Sequence, residues 1–383
     1  MGDYLSLLQI KFDCETVKSL IPCFQGKGGS IISLGIMPYI SLTAYSALEY
    51  LHNHGYSHLL DSDAKSIADV RLKLKLFENG YGKAKKMILN IDYLQDQIFR
   101  RQLEFNIMRK WNIHYNLGLY TDVDHRVLYN TQYVYYAMQD DSLIKRNIAT
   151  VRQAYELTPE KFDLSNKVAY EYAYKFGQII GSVGKVLESF DFPITIMANN
   201  CDIDIFYADY NTNIKSTLFP DGEEGKALQL YLLHTLSTIN FILYVLSICE
   251  QDDYGWWLKI SYIAFFYAHR KLRDLREYLV QHHMLTGDVA ELIKSSGSED
   301  LSYISVDFRN YLMHADLADK DGNLLIKMDK LDKSKPFFGL IESCFEGISY
   351  SELKSIIHNR LILISDALAG WLQTNKLAIK QLG

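Results

Sequence analysis

Apolar residues after position 226 recur at helical spacing in a series of long segments. Residues 227–249 predict one apolar helix, and residues 256 to about 283 predict a second after a short polar turn. Two long helices joined by a short turn are antiparallel neighbours, and they make one half of a four-helix bundle. Residues 302–314 predict a third helix, and a fourth begins at Ser349, where Glu352 completes a capping box. This part of the chain, 227–383, is therefore predicted to be a helical domain.

The residues before position 190 also have a mostly helical pattern, which predicts an N-terminal helical domain over 1–190. The stretch 122–138 is rich in Val and Tyr and fits either a strand or a helix. Pro193–Met197 and Asp202–Phe206 alternate in character and flank two asparagines, which predicts a small β-hairpin. With the loop that follows, this hairpin gives a connecting segment over 191–226. The predicted fold class is mainly α, with an N-terminal helical domain, a small β-hairpin and a C-terminal helical bundle.

One segment, Leu228–Cys249, is long enough and apolar enough to be compared with a membrane span. It nevertheless contains a heavy load of polar side chains, which an isolated span would not carry. Those side chains are Gln229, His234, Thr235, Ser237, Thr238, Asn240 and Ser247. The segment is therefore predicted to be a buried central helix, and no membrane is expected as a partner. A membrane-associated protein is the least favoured of the readings that the sequence leaves open.

Composition describes an ordinary soluble globular protein, with 48% hydrophobic and 22% charged residues. The five cysteines are scattered, none at a metal-finger spacing, and no signal peptide opens the chain, which predicts reduced thiols in the cytoplasm. His52, His54 and His58 with Asp61 invite a zinc hypothesis. His52 and His54 lie on different sides of a helix, however, and no cysteine is near. No metal or other cofactor is predicted.

The net charge of -6 argues against a protein that coats nucleic acid generally, but it leaves room for a local basic surface. The second C-terminal helix becomes basic toward its end. Its candidates for RNA contact are His269, Arg270, Lys271, Arg273 and Arg276. On a helix, His269, Arg273 and Arg276 share a face, and the other two point away from it. A solvated helix face accounts for the pattern as well as RNA contact does.

The segment Phe308–His314 holds the residues with the clearest chemistry. His314 can accept or donate a proton near neutral pH, and Arg309 keeps its charge and presents a planar fork to phosphate oxygens. Asn310 can hold a phosphate or orient the histidine through either end of its amide. Together they fit cleavage of RNA by its own 2′-hydroxyl, a reaction that needs no metal.

Here the sequence resembles the HEPN superfamily, whose signature is an arginine followed by Asn, Asp or His and, after four to six intervening residues, a histidine. Arg309-Asn310-x-x-x-His314 fits that signature. The resemblance implies a four-helix bundle with the motif on its third helix, and an RNA endonuclease with Arg309, Asn310 and His314 as catalytic residues. It also implies RNA as substrate, a role as a toxin or antiviral effector, and an inhibitor or antitoxin as a further partner. The alternative is a helical scaffold, or a nucleotide- or RNA-binding module, that keeps the motif without cleaving.

The spacing within the motif raises a geometric difficulty. Five helical steps place Arg309 and His314 about 140° apart around an ideal helix, whereas Asn310 and His314 share a face. Either the helix distorts or ends near Met313, or two copies of the chain build a composite cleft. Because HEPN relatives are commonly dimers with the motif at the interface, a homodimer is predicted.

Overall fold

A computed structural model gives the fold of the 383-residue chain. It describes residues 2–23, 29–57, 80–89, 117–130, 163–188, 203–210, 219–249, 254–318 and 321–381, with the single residues 92 and 212. The described part is mostly helical and contains one small antiparallel sheet. The predicted fold class, mainly α, is confirmed at this level.

The elements follow one another in this order. The helices are α1 (Gly2–Cys23), α2 (Gly29–Asn53), α3 (Asp163–Glu188), α4 (Glu223–Cys249), α5 (Trp256–Gln281), α6 (Gly287–Ser295), α7 (Val306–His314), α8 (Leu340–Cys344) and α9 (Tyr350–Leu372). Residues 81–89 are also helical. The strands are β1 (Leu117–Thr121), β2 (Val127–Asn130), β3 (Phe206–Tyr210) and β4 (Ile379–Gln381). Short 3₁₀ turns cover Pro336–Gly339 and Thr374–Lys376.

The four predicted C-terminal helices correspond to α4, α5, α7 and α9. Helix α9 begins with the predicted capping box, since the Ser349 hydroxyl accepts from the Glu352 backbone and the Glu352 carboxylate accepts from the Ser349 backbone. Helix α7 begins at Val306, later than predicted, because the Ser305 side chain caps it by accepting from the Phe308 N–H. Helices α4, α5 and α9 pack on one another, and α7 packs on α5 and on the N-terminal α2.

The central helix α4 is the predicted core helix. It is the one helix in the described part of the chain with the length and hydropathy of a membrane span, and 78% of that apolar window is buried inside the fold. Its polar side chains have partners in the interior. The Asn130 amide nitrogen lies 3.3 Å from Nδ1 of His234 and donates to the Ser237 hydroxyl at 3.1 Å, while Ser365 donates to Asn240. These bonds offset the cost of burying polar groups.

The sheet has the strand order β2-β1-β3-β4, and every pairing is antiparallel. Strands β1 and β2 form a hairpin, which resolves the first part of the stretch 122–138 in favour of a strand; residues from 131 onward lie outside the described ones. The predicted hairpin over 193–206 is wrong for its second arm. Strand β3 begins only at Phe206, which pairs with Thr121 on one side and Gln381 on the other. Alternation of apolar and polar residues predicts that a segment is a strand, but it does not determine which other strands the segment pairs with. Pro193–Met197 and Asp202 lie outside the described residues.

The N-terminal helices share their hydrophobic core with the C-terminal ones. One buried cluster combines Ile10 and Leu51 with Trp256 and Ala315. A larger cluster joins residues of α1 and α2 to the helices from α4 onward. The boundaries at 190 and 226 stay a prediction, but burial is continuous across them, so α1 and α2 rest directly on the C-terminal helices.

A turn that follows α7 in the sequence supports that helix. Its backbone is left-handed at two aromatic residues. Phe337 and Phe338 have φ of 56° and 55°, and Gly339 follows with φ 92°. Such backbone costs an L-residue about 1–2 kcal/mol. Both rings are buried, and Phe337 makes edge-to-face contacts with Phe308 and Tyr311, at centroid distances of 5.8 and 6.1 Å. The apolar face of α7 is thus fixed by aromatic packing, and its polar face is left to form the site.

Candidate functional site

Helix α7 ends at the last residue of the Arg-Asn-x-x-x-His segment. His314 is its final helical residue, and Ala315 follows in a left-handed conformation with φ 56°. The Ala315 N–H closes the helix by donating to the Tyr311 carbonyl at 2.7 Å. The helix continues through His314, so Arg309 and His314 both keep helical positions and the separation of about 140° between them remains.

Arg309 is half-buried and held by its neighbours. Its Nη1 donates to Oδ1 of Asn310 at 2.8 Å, and its Nη2 donates to the Tyr267 hydroxyl on α5. The guanidinium carbon lies 5.1 Å from the centroid of the Tyr267 ring and 5.6 Å from that of Phe266, within the range of a cation–π contact. The Nε atom is buried and lacks a hydrogen-bond partner within the described structure. The charge is thus fixed between two aromatic rings and an amide.

Asn310 connects this guanidinium to the face of α7 that carries His314. Residues four apart on a helix are neighbours on one face, so Asn310 and His314 are adjacent along α7. Arg309 donates to the Asn310 side chain at 2.8 Å, so its guanidinium is hydrogen-bonded to a residue of that face.

His314 has a different partner. Its side chain is 45% exposed, and Nδ1 lies 2.6 Å from Oε2 of Glu49 on α2. A carboxylate at this distance favours the tautomer with the proton on Nδ1, which leaves the lone pair on Nε2. An exposed imidazole oriented by a carboxylate is an arrangement suited to general base catalysis. The hydrogen bonds of Arg309 go to Asn310 and Tyr267, so the two motif residues have separate partners in one chain.

The end of the motif and the residues after it are also held by α1 and α2. The Ser46 hydroxyl donates to the Met313 carbonyl at 2.6 Å, and the Leu317 N–H donates to the Ser6 hydroxyl at 3.1 Å. Nε2 of His54 lies 3.6 Å from Asp316. Residues 313–317 are therefore attached at several points to the N-terminal helices.

Two of the five residues predicted to contact RNA are buried, and that part of the prediction is corrected. His269 is 2% exposed and Lys271 is 7% exposed. Burial lowers the pKa of His269, with a smaller contribution from the charge of Arg273. The Lys271 ammonium lies 5.3 Å from the centroid of the Tyr231 ring on α4. Both side chains face the interior because neighbouring helices cover α5 on more than one side. The basic composition of α5 does not reveal this coverage.

The other three, Arg270, Arg273 and Arg276, reach the surface and stay candidates. Arg270 is 41% exposed and lies 3.6 Å from Asp274, while Arg276 is 50% exposed and lies 3.6 Å from Glu299. Exposed pairs of this kind are weak, so they compete little with a phosphate. Arg270 also lines a surface cleft of about 350 Å³, which includes acidic as well as basic side chains. The arginines thus form a surface of mixed charge.

The histidines considered for zinc do not form a metal site in the described structure. Among the described residues, no three His, Cys, Asp or Glu side chains form a group that could hold a metal ion. His54 stacks on Tyr50 at a centroid distance of 4.0 Å, and its ring faces Asp316. His58 and Asp61 lie outside the described residues.

Sequence reasoning missed Glu49 and Tyr267. Glu49 is 265 residues from His314, and only the packing of α2 on α7 brings them together. Tyr267 is one of many tyrosines on apolar helices, and nothing local marks it as the partner of Arg309. No protein-family model, curated protein or solved structure matches this chain.

Proposed function

We propose that the protein is a metal-independent RNA endonuclease of the HEPN type. The observation that carries the proposal is the exposed imidazole of His314, oriented by the carboxylate of Glu49 at 2.6 Å and placed one helical turn after the Arg309–Asn310 pair. A proton acceptor and a fixed positive charge on one helix are the groups that phosphodiester cleavage by a 2′-hydroxyl needs.

The roles follow from the chemistry of each group. His314 accepts the proton of the 2′-hydroxyl through Nε2 as the 2′-oxygen attacks phosphorus. The 5′-oxygen of the next nucleotide leaves and takes a proton from water, which gives a 2′,3′-cyclic phosphate and a 5′-hydroxyl, and the imidazolium of His314 then returns its proton to solvent. Arg309 stabilises the negative charge that develops on the phosphorane oxygens. Asn310 holds the guanidinium because its Oδ1 accepts a hydrogen bond from Nη1.

The active unit in this proposal is a homodimer, because Arg309 and His314 of one chain have separate partners. A second copy placed against α7 supplies the complementary residue, as an isologous interface does. RNA is the substrate, and the exposed arginines of α5 hold its backbone. The protein then acts in the cytoplasm as a toxin or antiviral effector, controlled by an inhibitor or antitoxin.

The direct test is cleavage of total RNA in EDTA by the wild type and by His314→Ala. The variant should lose on the order of 10²-fold or more in rate. His52→Ala, which removes an exposed histidine of α2, is the matched control and should cleave normally. Absence of cleavage by the wild type, or equal cleavage by His314→Ala, would refute the proposal.

A mixing experiment tests the composite site. His314→Ala and Arg309→Ala should each be inactive alone. In a mixed dimer, one of the two sites receives the intact Arg309 of one copy and the intact His314 of the other. Random exchange should therefore restore about one quarter of wild-type activity. No recovery in verified mixed dimers would exclude a composite cleft.

The alternative is a helical scaffold, or a nucleotide- or RNA-binding module, that does not cleave. The observation in its favour is the position of Arg309, which lies between the rings of Tyr267 and Phe266 and joins α7 to α5. It predicts binding of RNA or a nucleotide without turnover.

A further inference from the structure

Two acid–base pairs join α2 to the end of α7 in a crossed arrangement. From α7 and the residue beyond its cap come His314 and Asp316, and from α2 and its terminal turn come Glu49 and His54. Glu49 meets His314 at 2.6 Å, and His54 meets Asp316 at 3.6 Å. Each side thus contributes one carboxylate and one imidazole, with the left-handed Ala315 between the two residues on the α7 side.

We infer that Glu49 is the positioning residue for His314, so that helix α2 of the N-terminal part is a component of the active site. This inference rests on the proposed nuclease function and adds to it a residue from outside the Arg-Asn-x-x-x-His segment. Glu49 touches the imidazole and acts through it; it is not itself a catalytic residue.

The hydrogen bond determines which nitrogen of His314 is available to RNA. An ionised carboxylate only accepts hydrogen bonds, so it selects the ring form with its proton on Nδ1. Nε2 then carries the lone pair that a base requires. Without Glu49 the ring is free to rotate and to adopt the other tautomer, whose Nε2 carries a proton and cannot accept one.

Neighbouring contacts keep Glu49 and His314 at this distance. Ser46, one turn before Glu49 on α2, is 1% exposed and donates to the Met313 carbonyl at 2.6 Å. On the other side of Ala315, the Leu317 N–H donates to Ser6 of α1. These bonds attach the backbone on both sides of His314, so the carboxylate meets a ring whose position is already restricted.

The experiment compares Glu49→Gln with the wild type in the full-length protein. Glutamine keeps the shape of glutamate but can turn either its oxygen or its NH₂ group toward Nδ1, so it no longer selects one tautomer. We expect kcat to fall on the order of 10-fold or more while KM changes little, because orientation of the base matters in the transition state. Glu346→Gln, an exposed glutamate in the loop after α8, is the matched control and should leave both constants unchanged.

A second readout does not depend on cleavage. Nitrogen-15 NMR of the imidazoles, with the His314 signal assigned from its absence in His314→Ala, reports the tautomer directly. The wild type should show the proton on Nδ1, and Glu49→Gln should show a mixture. If both kcat and the tautomer are unchanged in Glu49→Gln, the positioning role is overturned while the nuclease proposal stands. If the tautomer shifts but no form of the protein cleaves RNA, the positioning of His314 is supported and the nuclease proposal is the one that fails.

Discussion

Removing the charge of Asp13 should destabilise the protein far more than removing an ordinary surface charge. Asp13 on α1 and Lys259 on α5 form an ion pair at 2.6 Å, and each side chain is only 2% exposed. Gln9 also donates to Asp13, at 2.9 Å. The pair joins α1 in the N-terminal part to α5 in the C-terminal part. Its loss therefore tests how strongly this contact holds the two parts together.

The magnitude follows from burial. Asp13→Ala leaves the Lys259 ammonium uncompensated in the interior and removes one of the two acceptors of the Gln9 amide, the other being the Tyr254 carbonyl. Breaking a buried pair on one side costs about 3–5 kcal/mol, a large share of a net stability of roughly 5–15 kcal/mol. Lys259→Ala should cost a similar amount. Replacing both partners together, as in Asp13→Leu with Lys259→Met, should cost much less, because no charge is then left buried alone.

The assay is urea unfolding of the wild type, the two single variants and the double variant. The single variants should shift the midpoint strongly while the slope stays unchanged. Lys18→Ala is the matched control on α1, since Lys18 pairs with Glu15 at 3.2 Å but is 34% exposed, and it should cost less than about 1 kcal/mol. If Asp13→Ala costs no more than Lys18→Ala, the buried pair does not hold α1 on α5.

Two further predictions concern pH and RNA. Burial, and then the charge of Lys271, lowers the pKa of His234 from 6.5 to about 3. Its contribution to stability is therefore complete above pH 6.5 and is lost as the pH falls toward 3, by about 1.4 kcal/mol per unit. His234→Gln should flatten this dependence in unfolding midpoints measured from pH 7 to 4, and an unchanged slope would contradict the assignment. Arg273→Gln should weaken RNA binding uniformly across sequences and reduce the salt slope by about 1 in a filter-binding titration. An unchanged salt slope would show that the exposed face of α5 does not contact phosphate.

The helices that the sequence predicted are those whose signals lie within one or two turns. The capping box at Ser349 and the apolar spacing that follows locate α9, and the uninterrupted apolar segment locates α4. The polar side chains within the α4 segment also predicted correctly that α4 is a core helix. Hydrogen bonds and side-chain contacts within a helix join residues that are three or four positions apart, so both partners lie close together in the sequence.

The candidate site was only partly predictable for the same reason. Arg309, Asn310 and His314 were identified from their chemistry and spacing, and the bond from Arg309 to Asn310 is local. The Tyr267 partner of Arg309 and the Glu49 partner of His314 are not local.

The sequence by itself determined where the main C-terminal helices lie, and it supplied Arg309, Asn310 and His314 of α7 as candidates for proton transfer and phosphate binding. Only the tertiary structure decided that β3 lies between β1 and β4, that the basic end of α5 turns His269 and Lys271 inward, and that α2 brings a carboxylate to His314. Burial and long-range pairing depend on which surfaces meet in the folded chain, and local periodicity does not record which surfaces meet.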